Sequence, residues 1–197
     1  VDFFTAVCIN EKIAIEVTFC RNNQNFGSNT HFIENKIEDD ISIVLQKFIE
    51  QFYITQNIPK KIIVSHYLHE KKLLENAFSS KTRLKINISL PKTSNTKLIF
   101  KEAKKVAEIN LAKKIAEMNK TKNLLDKLKN KFNFNNNIDK IEVYDNSHFS
   151  GKEAVGSYIV ASQEGFLKTK YRKFNIKNSN PKDDYSMMQE VLKRRVK

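Results

Sequence analysis

The sequence predicts an α/β fold with a mixed sheet, laid down twice along the chain. Three observations carry this reading. Apolar residues alternate in two separate regions, each long enough for three strands; an acidic pair and a helical apolar pattern follow each region; and one long, unbroken helical stretch lies between them.

In the first region FTAVCIN, KIAIEVTF and THFIE read as three antiparallel strands, with Asn/Gly-rich turns at Arg21–Asn25 and Gly27–Asn29. Asp39 and Asp40 then precede a helix carrying Ile41, Val44, Leu45, Phe48 and Phe52 on one face, with the acids where the helix dipole favours them. After Pro59, KIIVSHY is short and β-branched enough for a buried strand, HEKKLLENAF is amphipathic, and LKINISL alternates up to Pro91. From about Thr96 to Asn130, Ala103, Val106, Ala107, Leu111, Ile115, Met118, Leu125 and Leu128 recur against a Lys-rich face without Gly or Pro, as one helix or one broken near Asn119–Thr121. The Asn-rich Phe134–Asn137 reads as a boundary. Beyond it IEVYDNSH, AVGSYIVAS and KTKYRKFNI form three more strands, linked at Ser150–Gly151 and Gln163–Gly165, and Asp183–Asp184 opens a helix with Tyr185, Met188, Val191 and Leu192 on one face.

The first region thus runs βββαβαβ, the core order of the ribonuclease H-like fold, in which three antiparallel strands lead into a partly parallel sheet flanked by helices. The expected division is a ribonuclease H-like domain over 1–92, a long basic helical connector over 93–138, and the truncated start of a second copy over 139–197. A plain α+β meander is the alternative for each half.

The 197 residues carry 35 Lys+Arg against 22 Asp+Glu, for a formal charge of +13. By segment the balance is −2 over 1–68, +11 over 69–140 and +4 over 141–197. A basic middle attracts polyanions by counterion release, nucleic acid being the commonest. The competing explanation is an AT-rich genome, because 30 of the 35 basic residues are Lys and Asn is abundant. No run reaches the roughly 18 apolar residues of a membrane helix, and the N-terminus lacks a basic signal-peptide region, so a cytoplasmic protein with no membrane partner is expected. Cys8 and Cys20 have no metal-ligand spacing and read as small buried thiols.

Among residues able to do chemistry, Asp145 stands out within an otherwise apolar strand. It either caps the turn after that strand or holds a divalent cation, since ribonuclease H-like nucleases place their first metal-binding Asp on the first strand. Asp183 and Asp184 are helix caps or further site residues. His148 is a ligand, an acid/base group or a structural hydrogen-bonding residue. Arg172 and Lys173, between Tyr171 and Phe174, suit phosphate contact or an exposed edge strand, and Lys193, Arg194, Arg195 and Lys197 suit phosphate contact or a favourable helix end. Lys101, Lys104, Lys105, Lys113 and Lys114 are the DNA-binding candidates of the long helix. The first copy has Ala6, Val7 and Cys8 on its first strand and Ser65–His66 after its fourth, so it is expected to be catalytically empty.

At these residues the sequence resembles a known family. The segments YDNSH, YRKFNI and DDYSMM with VLKRR, in that order and spacing, are similar to the start of the ribonuclease H-like endonuclease domain of the UvrC family, the incision subunits of the bacterial UvrABC excinuclease. Upstream, FCRNNQNFGSNTHF, EQFY and IPKKIIVSH resemble the stretch preceding that domain. The resemblance implies an endonuclease of nucleotide excision repair and the SOS response to DNA damage. It would act on damaged double-stranded DNA with UvrB loaded by UvrA, using Mg²⁺ or Mn²⁺ for the incision 5′ to a lesion. It makes Asp145 the first metal-binding Asp and Asp184 a possible site residue. The family's next catalytic Asp, in a DGG segment, and its catalytic His have no match here, so the chain is expected to be an internal fragment, inactive alone. A non-catalytic scaffold that binds DNA or protein is the alternative.

Overall fold

A computed structural model of the protein describes residues 1–21, 24–33, 40–149, 152–180 and 183–196. The sequence expectations at Asp39, Ser150–Gly151 and Lys197, and part of the Arg21–Asn25 turn, lie outside the described residues. The chain divides into two compact units, Val1–Ile115 and Ala116–Lys197.

The first unit is a mixed sheet in the order β3-β2-β1-β4-β5. β1 (Asp2–Ile9), β2 (Lys12–Arg21) and β3 (Gln24–Ile33) form an antiparallel meander, whereas β4 (Lys61–Val64) and β5 (Asn87–Ser89) add in parallel on the other side of β1. A parallel addition needs a crossover, which α1 (Ile41–Thr55) and α2 (Lys71–Thr82) supply. Asp40 starts α1 by accepting a hydrogen bond from the Ser42 amide at 3.0 Å. From α1, Val44, Leu45, Ile49 and Tyr53 reach one face of the sheet and meet Phe4, Ile15, Val17, Ile62 and Ile88 in the main core.

The opposite face is covered by α3 (Ser94–Lys131), which runs unbroken through Asn119–Thr121. Its Ala107 and Leu111 pack on Val7 and Ala14, and Phe100 packs on Phe3 and Ile63. Asn110 donates to the Thr30 hydroxyl at 2.7 Å, and Thr30 in turn hydrogen-bonds the buried Glu16 carboxylate, so a polar relay ties helix to sheet. The first part of the expected connector is thus built into the first unit.

The second unit pairs β6 (Lys140–Phe149) with β7 (Lys152–Ser162), and β7 also pairs with the short β8 (Gly165–Phe166) and with β9 (Arg172–Asn175). A single 3-10 turn at Lys168–Lys170 replaces the start of the expected KTKYRKFNI strand. α4 (Asp184–Val196) closes one face of this sheet through Met187 and Val191. Gly156 on β7 permits that approach, because a Cβ there would stand 2.3 Å from Val191 Cγ2.

Three expectations are corrected. Gly27–Asn29 is strand, not turn: Gly27 takes φ +104 inside β3, a conformation open to glycine, at the register shift where pairing with β2 passes from Cys20–Asn25 to Thr18–Ser28. Cys8 is exposed and Cys20 half-buried, because burial along β1 ends at Val7. In α4 the buried face carries Met187, Glu190 and Val191, while Tyr185 is 89% exposed, because the contact at Gly156 sets the rotation of the helix.

Gly156→Ala should therefore destabilise the second unit by about 1–3 kcal/mol through overpacking against Val191. Val191→Ala added to it should recover part of that loss. Urea unfolding of the two variants measures both; equal stability of Gly156→Ala and the parent would show that α4 can shift to accept the methyl.

Candidate functional site

Strand β6 carries the sequence YDNSH, and the structure places Asp145 in its interior rather than at a turn, opposite Ser157 of β7. Ser157 in turn pairs with Lys173 of β9. Directly opposed residues of antiparallel strands share a face, so Asp145, Ser157 and Lys173 form one row, about 10 Å across from carboxylate strand to ammonium strand. All three are exposed. The turn-capping role for Asp145 is excluded by this pairing. Among the described residues no three His, Cys, Asp or Glu side chains gather into a group suited to a metal ion.

Alternation sends Tyr144 and Asn146 to the other face of β6, the one α4 covers. Asn146 Nδ2 donates to the Asp184 carbonyl at 3.4 Å, so Asp184 starts its helix over that covered face, away from the Asp145 row. Asp183 is the cap: its Oδ1 accepts from the Tyr185 amide at 3.1 Å. His148 sits at a register shift in β6, where strand alternation no longer fixes its side.

The basic end of α4 is tied to the fold. Arg195 pairs with Glu142 through Nε at 3.1 Å and Nη2 at 2.6 Å and lies over the Tyr158 ring. The Arg195 and Tyr144 hydrogen bonds hold the Glu142 carboxyl below the usual carboxylate range, and burial with that same bond pushes the Tyr144 phenol up to about 12. Arg194 donates to the Asn175 carbonyl at 2.7 Å and stacks on Phe174. Glu190 accepts from the Lys177 and Asn178 amides at 3.0 and 2.9 Å and from the Ser179 hydroxyl at 2.9 Å. Burial would raise its pKa, but these bonds win and bring it down to about 2. Arg172 turns one guanidinium nitrogen back on the Thr169 and Tyr171 carbonyls. Lys173 keeps an outward ammonium.

In the first unit β1 and β4 lie side by side and parallel. Their carboxyl ends open into a cavity of about 530 Å³. Thr5, Ser65 and His66 line its strand side, and Lys97, Lys101, Lys104 and Glu108 line its α3 side. The Ser65 hydroxyl accepts from the Ala6 amide at 3.0 Å and lies 2.7 Å from His66 Nδ1. Burial lowers the His66 pKa, against the pull of Asp40 and with the help of Lys104. The expected lysine stripe is split: Lys101, Lys104, Lys105 and Lys113 are exposed, Lys114 is half-buried and engaged, and Lys104 and Lys113 lie on opposite sides of a helix of about 3.6 residues per turn. Lys97 and Thr5 were missed from the sequence. The spacing of Lys97, Lys101 and Lys104 at i, i+4 and i+7 was the available signal for the first, and nothing in the sequence marked the second.

Comparison with known proteins follows the same division. A family profile described as the UvrC Ribonuclease H-like domain matches residues 1–114, and one described as the UvrC RNAse H endonuclease domain matches 129–197. UvrABC system protein C of Zymomonas mobilis is 38% identical over 196 residues, 98% of this chain and 30% of that protein. The proteins of the same description from Bartonella quintana and Bradyrhizobium diazoefficiens are 43% and 41% identical over 92% and 93% of this chain, each covered to 27% of its own length. The chain therefore spans under a third of these relatives. No solved structure matches it.

The Glu190 carboxylate is depressed from 4.5 to about 2, so its stabilisation is complete above about 4.5 and is lost as pH falls through about 2. Glu190→Gln should lower stability at neutral pH and flatten its dependence on pH across that window, measured by denaturant unfolding at a series of pH values. Parallel pH profiles for parent and variant would contradict the role given to these hydrogen bonds.

Proposed function

The chain belongs to the UvrC ribonuclease H-like domain family, and from that membership we propose that it is the segment of a nucleotide excision repair endonuclease that begins the domain cutting 5′ to a lesion. The observation that carries this reading is the exposed Asp145 in the interior of β6, within the YDNSH segment, on the sheet face that α4 leaves open. In this reading Asp145 holds Mg²⁺ or Mn²⁺ together with ligands from outside the described residues. The cation, when bound, supplies a hydroxide nucleophile and stabilises the leaving oxygen of a phosphodiester. Lys173, in the same row as Asp145, steers the phosphate chain toward the carboxylate, with Arg172 beside it on β9.

Damaged double-stranded DNA is the substrate of this reading and UvrB, loaded by UvrA, its partner. Asp184 and His148 take supporting places: Asp184 at the start of the helix that orients Asn146 beside Asp145, and His148 at the end of the same strand. Arg194 and Arg195 hold α4 to the sheet, and so act on DNA through the position of that helix. The first unit serves as a catalytically empty copy. Its cavity presents Ser65, His66 and lysines where a metal-dependent nuclease would present carboxylates, which favours the scaffold role for this half.

In the full-length protein Asp145→Asn should reduce the 5′ incision by at least a hundredfold and leave the 3′ incision in place, since Asn keeps the shape while removing the charge that holds the cation. An end-labelled duplex with a single lesion resolves the two cuts. Undiminished 5′ cutting by the variant would remove Asp145 from the metal site.

A further inference from the structure

The cavity of the first unit lies at the carboxyl ends of two parallel strands, β1 and β4, where the chain switches from one side of β1 to the other. Open α/β sheets bind ligands at such switch points. Here the walls specify the ligand's charge. Lys97, Lys101 and Lys104 come from one edge of α3, a turn apart; among the described residues lining the cavity the opposing carboxylate is Glu108, 3.8 Å from Lys104, while Asp40 acts on His66. Lys97 and Lys101 pair with no carboxylate among the described residues.

The strand side adds donors. Thr5 is 2% exposed, lines the cavity, and its hydroxyl has no hydrogen-bond partner among the described residues. A buried polar group left unpaired costs stability, so an unpaired hydroxyl on a residue that lines the same cavity as three lysines points to a ligand that accepts the hydrogen bond. The Ser65 hydroxyl lies 2.7 Å from His66 Nδ1; in the tautomer in which that hydroxyl donates, the imidazole carries its proton on Nε2 as one more donor. A divalent cation would be repelled by this arrangement; a tetrahedral anion would satisfy it.

We propose that this cavity seats a backbone phosphate of DNA, gripped directly by Lys97, Lys101 and Lys104 with the Thr5 hydroxyl at its floor. The site takes the place that carboxylates and metal ions hold in an active copy of the fold, and it rests on the reading that the chain works on DNA. Two features select a nucleic acid over a free anion. At about 530 Å³ the cavity is far roomier than one phosphate needs, and positive charge continues beyond it along α3 at Lys105.

The test uses the 197-residue chain and two probes, inorganic phosphate and an undamaged duplex. Titration with phosphate, followed by NMR, should give saturable shifts at Thr5 and His66, abolished in Lys97→Gln/Lys101→Gln and unchanged in the control Lys105→Gln/Lys113→Gln. Duplex binding across a salt series should lose about one unit of slope in the first double variant, the share of one phosphate contact. Thr5→Val should raise the melting temperature, because it removes the unpaired hydroxyl, while weakening phosphate binding severalfold. A wild-type chain whose Thr5 and His66 signals do not respond to phosphate would overturn the site. Phosphate binding with an unaltered duplex salt slope in Lys97→Gln/Lys101→Gln would overturn DNA as its source. Neither readout depends on Asp145 or on incision, so the outcome is separate from that of the nuclease reading.

Discussion

Burial of β1 on both faces is the constraint from which the first unit is built. Six consecutive residues, Asp2 to Val7, are buried, so both α1 and α3 are required, one on each side. Of its two polar members, Asp2 is matched to this demand. Asp2 accepts from Tyr53 at 2.9 Å and pairs with Arg21 at 2.5 Å, which closes the entrance end of the strand. Burial, with the Asp2 charge, drives the Tyr53 phenol upward and keeps it a donor. At the far end the cover stops, Cys8 emerges, and the cavity opens. Thr5, at the edge of that opening, is the polar member of the buried run left without a partner among the described residues.

The second unit uses the same antiparallel start with one face covered. Its helix is drawn onto β7 by the absence of a side chain at Gly156 and is fastened by Glu142, Glu190 and two arginines. That fastening consumes charge that sequence alone would assign to a ligand. It also sorts the titratable groups by face: Glu142 and Glu190 serve the helix side, whereas Asp145 and Lys173 are left to the open side. The proposed division of labour between the units has its physical basis here, in a carboxylate that can collect a cation and in a cleft of ammonium groups that cannot.

Much of this was legible in the sequence. The strand order, the long helix and the acidic helix starts follow from alternation, from the absence of Gly and Pro between Thr96 and Asn130, and from Asp40 and Asp183, because these are local properties of the chain. The YDNSH segment singled out Asp145. What escaped was set by tertiary contact. The rotation of α4 depends on Gly156, a β7 residue 31 positions before Met187; Gly27 passes as a turn signal until β2 pairs with the residues on either side of it; and Arg194 and Arg195 look free until Phe174, Tyr158 and Glu142 are placed beside them. The orphaned hydroxyl of Thr5 is visible only in three dimensions.

The central claim is that cation and phosphate are taken by different units. Paramagnetic line broadening by Mn²⁺ tests it most directly, read at amide resonances of these residues within the full-length protein, where the remaining proposed ligands are supplied. The account predicts broadening centred on Asp145 and its β7 neighbour Ser157, absent in Asp145→Asn, with the signals of Thr5, Ser65 and His66 left sharp. Broadening centred on the cavity between β1 and β4, or none around Asp145, would contradict it.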